Sequence, residues 1–277
     1  MTGTTDLHVH TTASDGEYRP AEIVAMARDL GLSTIAITDH DSVSGVQEAV
    51  DAARGIRLEV VPGVEINAEW KGRSYHILGY YIDYRSEALT SELKRLCDSR
   101  EWRAHKVIDK LASLGAPVRW ERVLELAEGG SIGRPHIAEA MVERGHVTTI
   151  RAAFDEFLAR GRAAYVSRPR LTPREAIALI LSVGGLPVFA HPLGMLHTVP
   201  RLMQAGLVGL EVYYSGYSEE DTRLIAAEAR RHGLIATGGS DYHGPNVTPG
   251  IELGQVPVPP SVMKELRALH LDTISGA

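Results

Sequence analysis

The stretch "TDLHVHTTASDG", Thr5 to Gly16, sets His8, His10 and Asp15 close together directly after a short apolar run. On a strand, side chains two residues apart point the same way, so His8 and His10 can grip one ion. Asp241 and His243 in "GSDYHG" repeat that spacing. Further histidines and carboxylates stand in similar contexts: Asp39 and His40 in "ITDHDSVSG", Glu65 in "PGVEI", His76 in "HILGY" and His191 in "FAHP". Imidazole and carboxylate suit divalent zinc, manganese or iron, and no cysteine lies among them. A glutamate can also bridge two cations with its two oxygens. Burying so many ionisable groups without a charge partner is severely destabilising, so the set as a whole points to metal.

Something must bring these residues together from across the chain. The N-terminal third alternates strand-like and helical runs: strands at 4–10, 33–40, 58–66 and 73–82, with helices at 20–30 and 43–54. A loop at 69–72 separates the last two strands. From about 86 to 162 strand signals vanish and charged amphipathic helices follow one another. The strand–helix rhythm then resumes, with strands in "LPVFAH", "LVGLEVYY" and "LIATGGSDYH" and a last helix near 260–269. Repeated strand–helix units predict mostly parallel strands under covering helices. About seven strands favour a closed or nearly closed barrel over an open doubly wound sheet, for which no Gly-rich dinucleotide fingerprint speaks. The C-terminal strand ends of such a barrel share one mouth, where residues remote in sequence converge.

Composition narrows the classes of function. The chain has 277 residues, 44% hydrophobic, enough for a substantial core. A net charge of −6 argues against a general nucleic-acid or membrane-surface binder. Cys97 is the single cysteine, so no intrachain disulfide forms. No signal-peptide pattern or bilayer-length apolar run occurs, which predicts a cytoplasmic protein. His105, His146, His232 and His270 sit in or beside charged helices and read as solvated; His197 follows the His191 loop and reads equally as a substrate contact or as an ordinary structural residue.

Taken in order, "DLHVHTTASDG", "ITDHDSVSG", "PGVEI", "HILGY", "FAHP" and "GSDYHG" resemble the polymerase-and-histidinol-phosphatase (PHP) metallophosphoesterases. The resemblance implies an α/β fold, a distorted (β/α)7 TIM-like barrel, here formed by 1–85 and 163–277. The helical insertion at 86–162 would cover the active site. It also implies three divalent cations (Mn2+, Zn2+ or Fe2+). His8, His10, Glu65 and Asp241 would hold the first. Glu65 would bridge to a second, completed by His76 and His191, and Asp15, His40 and His243 would hold the third. Asp39 would orient His40 from behind. Arg19 departs from the family pattern, standing where a small helix-capping residue is common.

A phosphoester hydrolase needs a nucleophile at neutral pH, neutralised phosphoryl oxygens and support for the leaving oxygen, all of which metals supply. The resemblance implies a metal-bridging hydroxide as nucleophile, held by Glu65, with Asp241 and His243 at the site. "GRPHIA" and "AAYVS" in the insertion are similar to the branch acting on 3′,5′-bisphosphonucleotides and the 5′ ends of short oligoribonucleotides. Ser131, Arg134 and His136 at a predicted helix start, with Arg168, are candidates to hold a second phosphate. The expected partner is therefore a small phosphorylated substrate, nucleotide or short oligoribonucleotide, with no membrane, no extended duplex and no obligate protein partner. Two alternatives stand beside it: a monophosphate phosphatase acting on a substrate such as histidinol phosphate, and an inactive PHP-like barrel serving as a structural or binding module.

Overall fold

A computed structural model describes residues 4–127, 132–167 and 170–275. The chain divides into two compact units, one of residues 1–92 and 170–277, the other of residues 93–169. The helical unit begins seven residues after the sequence boundary of 86, because the first turns of its leading helix belong to the first unit, and it ends seven residues after the boundary of 162.

In the first unit seven strands form one sheet in sequence order. They are β1 (Thr4–Val9), β2 (Leu32–Ile37), β3 (Glu59–Trp70), β4 (Arg73–Tyr80), β5 (Leu186–Phe189), β6 (Gly209–Tyr214) and β7 (Ile235–Gly239). The sheet all but closes on itself. Past the end of β7, the Asp241 amide donates to the His8 carbonyl (2.9 Å) and the His10 amide to the Tyr242 carbonyl (2.9 Å). Gly239 makes this approach possible, since a Cβ there would collide with the His8 backbone.

Helices α1 (Pro20–Asp29) and α2 (Val46–Ala52) cover β1–β3, where Ile23, Val24 and Ala27 share a core with Ile35 and Ile37. The Arg19 departure is offset locally: Pro20 supplies the first helical turn, and the Glu22 carboxylate accepts from the Arg19 amide (2.8 Å). Helices α3 (Glu87–Ser113), α4 (Trp120–Leu126), α5 (Arg134–Glu143) and α6 (Ile150–Ala153), with a π-helical turn at Phe154–Leu158, make up the helical region. There Val107, Leu111, Ile137, Met141 and Leu158 form a separate core.

The remaining helices are α7 (Pro173–Ser182), α8 (Val199–Met203), α9 (Glu219–His232) and α10 (Ser261–Ser275). Reciprocal capping boxes open α7 (Thr172 with Glu175) and α9 (Ser218 with Asp221). From α10, Val262, Met263 and Leu266 pack with Leu7, Leu78, Tyr80 and Val188. Among the described residues no helix is long and apolar enough to cross a membrane.

The strands are mostly parallel, as expected, with one exception in direction. β4 runs antiparallel to both β3 and β5. The expected four-residue loop at 69–72 is a two-residue turn, Lys71–Gly72, with both φ angles positive (49° and 78°). That conformation matches the twist of a hairpin and leaves no chain for a crossover, so β4 must reverse.

Asp6 is the peg that fixes the closure. Its buried carboxylate accepts from the Ser240 amide (2.8 Å) and hydroxyl (2.6 Å) and from the Gly254 amide (2.8 Å). Burial raises its pKa, against which these donors work. Asp6→Ala strands several buried donors, and unfolding in denaturant is expected to show a loss of about 2–4 kcal/mol of stability.

Candidate metal centre

The rim of the barrel gathers all nine side chains read from the sequence as metal ligands. His8 and His10 project from and just beyond β1, and Asp15 follows in the turn. His40 lies past β2, bridged to Glu65 of β3. His191, Asp241 and His243 lie past β5 and β7. His76 is the exception to the rule of C-terminal strand ends: it sits in the first half of β4, opposite Asn67, and reaches the mouth because β4 runs backwards. His191 (φ 31°) and Asp241 (φ 57°) hold left-handed backbone conformations that L-residues rarely adopt, strain typical of functional positions.

Glu65 is the centre of the arrangement. Its Oε2 lies 3.2 Å from Nε2 of both His8 and His10 and 2.8 Å from Nδ1 of His40. Its Oε1 lies 2.8 Å from Nδ1 of His76 and 3.4 Å from Nε2 of His191. Asp241 Oδ1 completes one group, 3.2 Å from Nε2 of both His8 and His10. Asp15 faces the other side of the cluster, 3.5 Å from His243 Nε2, 3.6 Å from His10 Nδ1 and 3.8 Å from His40 Nε2. His40 thus faces both ways, between Glu65 and Asp15.

His76 Nδ1 and Glu65 Oε1 form a hydrogen bond, but the other side of the cluster is not ordinarily hydrogen-bonded. His8 Nε2, His10 Nε2, His40 Nδ1, Glu65 Oε2 and Asp241 Oδ1 are buried and have no hydrogen-bond partner among the described residues. Leaving several such atoms unsatisfied in one place is costly. Four donors about 2.0–2.2 Å from a tetrahedral cation stand ~3.3 Å apart, close to the 3.2 Å separations of the His8, His10, Glu65 and Asp241 atoms. The donor set therefore fits a divalent metal. Three overlapping groups can hold one: His8, His10, Glu65, Asp241; His40, Glu65, His76; and His10, Asp15, His40, His243.

The electrostatics agree. Burial works to raise the Glu65 carboxyl, yet the field of His40, His76 and His8 holds it well below the usual carboxylate range. Burial likewise opposes ionisation of Asp241 and Asp15, and the neighbouring imidazoles reverse it, lowering both. Conversely, burial disfavours charge on His10, but Asp241 and Glu65 raise it to about 10. The cluster is one in which carboxylates demand positive charge, whether protons or metal ions supply it.

A second ring of groups holds the first. Glu211 of β6, fully buried, accepts from His8 Nδ1 (2.8 Å) and from the His191 amide (2.8 Å). It directs His8 Nε2 toward Glu65, the usual way a carboxylate fixes a ligand's tautomer. Sequence reading missed Glu211; its signal was a lone acid inside the apolar run "LVGLEVYY". The Tyr214 hydroxyl donates to Asp241 Oδ2 (3.1 Å), leaving Oδ1 for the cluster. Asp39 differs from its expected role. Instead of orienting His40, its carboxylate accepts from the Thr11 amide and hydroxyl (2.8 Å each) and from Ser14 (2.6 Å), and so shapes the turn that carries Asp15.

The substrate-binding candidates belong to the helical unit. Arg134 donates to the Leu158 carbonyl (2.9 Å) and lies over the Phe154 and Tyr165 rings; His136 Nδ1 accepts from the Gly133 amide (3.2 Å). Ser131 and Arg168 fall outside the described residues. His232 and His270 stay out of the cluster, paired with Glu228 and stacked on Tyr81.

The PHP domain family matches residues 6–157. The chain belongs to this family. The 5′-3′ exoribonuclease Rnm of Salmonella typhimurium is 35% identical over 90% of the chain and 88% of its own length. The 3′,5′-nucleoside bisphosphate phosphatase of Chromobacterium violaceum is 34% identical over 87% of each. A crystal structure from Bifidobacterium adolescentis, described as a metal-dependent phosphoesterase, superposes with a TM-score of 0.81, 33% identity and 96% coverage of both chains. The PHP chain is thus an enzyme, a hydrolase of the phosphoesterase class, and its nearly closed seven-stranded barrel is the fold of that class.

Replacing Glu211 with Gln removes the negative charge behind His8. The apparent affinity for Mn2+ or Zn2+ is expected to fall about 10–100-fold, measured by competition with a chelator. An unchanged circular dichroism spectrum separates this from unfolding.

Proposed function

We propose that this PHP enzyme uses the nine clustered side chains to hold divalent cations and hydrolyses phosphate esters of nucleotides. Its substrates are the 3′-phosphate of 3′,5′-bisphosphonucleotides and the 5′ ends of short oligoribonucleotides. The observation that carries the metal reading is the set of buried, unpartnered donor atoms of His8, His10, Glu65 and Asp241 at 3.2 Å separations. The substrate reading is supported by the names of relatives similar along most of the chain, one an exoribonuclease and one a nucleoside bisphosphate phosphatase.

Divalent cations bound there supply a nucleophilic water at neutral pH and neutralise the phosphoryl oxygens. The chain's own residues do the rest. Glu65 offers its two oxygens to two different groups of imidazoles, so one carboxylate links neighbouring cation positions. His8 and His10 approach from one side, and His76 and His191 from the other. Glu211 orients His8 and pins the strained His191 backbone. Tyr214 keeps Asp241 turned toward the cluster. Asp15, His40 and His243 form the outer end, where Asp15 is 39% exposed and a phosphate oxygen can arrive from solvent. No side-chain nucleophile is assigned. For the second phosphate, Arg134 and His136, with Ser131 and Arg168, are the proposed holders, carried by the helical unit.

Phosphate release from a panel of esters tests the reading. Metal-loaded enzyme is expected to turn over 3′,5′-bisphosphoadenosine and a 5′-phosphorylated short RNA well above histidinol phosphate. Chelation should abolish release, and added Mn2+ should restore it. Preference for histidinol phosphate selects the monophosphatase instead, and no turnover with any ester selects the inactive barrel. Arg134→Ala should raise KM for the bisphosphate about tenfold while leaving a monophosphate nearly unchanged, as removal of one charge-assisted hydrogen bond to phosphate requires.

A further inference from the structure

Apart from the metal cluster, the first unit carries a groove of about 810 Å3 on the other face of the β3–β4 hairpin. Trp70 and the buried Tyr75 line it, together with Arg174 at the start of α7 and with His197 and Arg201 before and within α8. Arg201 stacks on the Trp70 ring, 4.0 Å from its centroid, and Lys71 Nζ stands 4.5 Å from the same ring. No carboxylate lines the groove, and neither Arg174 nor Arg201 makes an ion pair among the described residues. Exposed cations beside an aromatic face suit phosphates joined to planar bases.

Chain connectivity ties this groove to the metal centre. Side chains alternate across β4, so His76 faces the cluster while its neighbour Tyr75 faces the groove. β3 carries Glu65 to the mouth and continues five residues to Trp70, ~16 Å at strand rise. The loop that holds His191 runs on to His197. A strand leaving the mouth over the hairpin rim covers that distance with a few nucleotides.

We propose that this groove binds the body of a single-stranded oligoribonucleotide whose 5′ end lies at the metal centre. A base rests on the Trp70–Arg201 stack, and backbone phosphates meet Arg174 and Arg201. This rests on the oligoribonucleotide reading above and adds to it a length dependence. A mononucleotide or dinucleotide bound at the mouth is too short to reach the groove, whereas a longer strand gains affinity there.

The test compares wild type with Arg174→Ala/Arg201→Ala and, separately, Trp70→Ala, on 5′-phosphorylated RNAs of two to ten nucleotides and on 3′,5′-bisphosphoadenosine. The expected result is a rise of about tenfold in KM for the decamer, with the dinucleotide and bisphosphate unchanged. The salt dependence of decamer kcat/KM should also become shallower by ~1.4 in log–log slope in the double variant, because two fewer phosphates are neutralised by the protein. Equal changes at every length, or none at any, overturn the proposal. A second arm reads binding alone: anisotropy of a labelled, cleavage-resistant phosphorothioate decamer on the metal-loaded proteins. If wild type cleaves no RNA yet binds this decamer in an Arg201-dependent way, the groove stands and the oligoribonucleotide reading of the active site fails. If the Arg174→Ala/Arg201→Ala variant loses affinity for free bisphosphonucleotide as much as for the decamer, the groove is a mononucleotide site and the proposal is overturned.

Discussion

A carboxylate surrounded by imidazoles governs this structure. Glu65 is buried, and five histidines approach its two oxygens within 3.4 Å. An ionised carboxylate in such a place is tolerable only if positive charge is held against it with good geometry. The barrel is the means of holding it. The five histidines arrive from four segments, so the site exists only when β1, β3, β4 and the loops after β2 and β5 are in register. Stability and site geometry are therefore coupled through the same backbone.

The surrounding acids divide that work. Asp6 ties β1 to the segment after β7, Asp39 shapes the turn after β1, and Glu211 links His8 to the backbone of His191. Asp41 does the same for β3, accepting from the Asn67 amide (2.8 Å). All four are buried and spend their lone pairs on neighbours in the same unit. They hold the scaffold and, through Glu211, the outer side of His8, while Glu65, Asp241 and Asp15 turn oxygens into the cluster itself.

Much of this was legible in the sequence, for a physical reason. Strand ends bearing histidine and acid are chemically expensive unless they meet, so their repetition carried information about both fold and site. The strands and helices of the barrel fall where periodicity placed them, with ends differing by a few residues. What escaped was direction and support. "WKGR" lacks the Asn-Gly or Asp-Gly signature of a tight hairpin, so the reversal at Lys71–Gly72 passed as a loop. The second-ring roles of Glu211, Tyr214 and Asp39 depend on which neighbour a side chain meets across the sheet, and local patterning does not encode that. Nothing in the local sequence sets Arg174 and Arg201 apart; only the fold places them beside Trp70.

The reversed fourth strand also changes what the helical excursion is. In an ordinary strand–helix repeat the chain leaves at the rim, and a covering helix brings it back to the foot. Here β4 delivers the chain to the foot, where the Asp83 amide bonds the Val183 carbonyl, and the chain re-enters at the rim, where the Glu69 amide bonds the Leu171 carbonyl. Departure and return lie at opposite ends of the wall, separated by roughly the length of β4, ~26 Å for its eight residues. The excursion is thus a bridge and not an ornament. A shortened relative that dispensed with these helices would still need a connector long enough to climb the wall, so trimming here is limited by reach before it is limited by function.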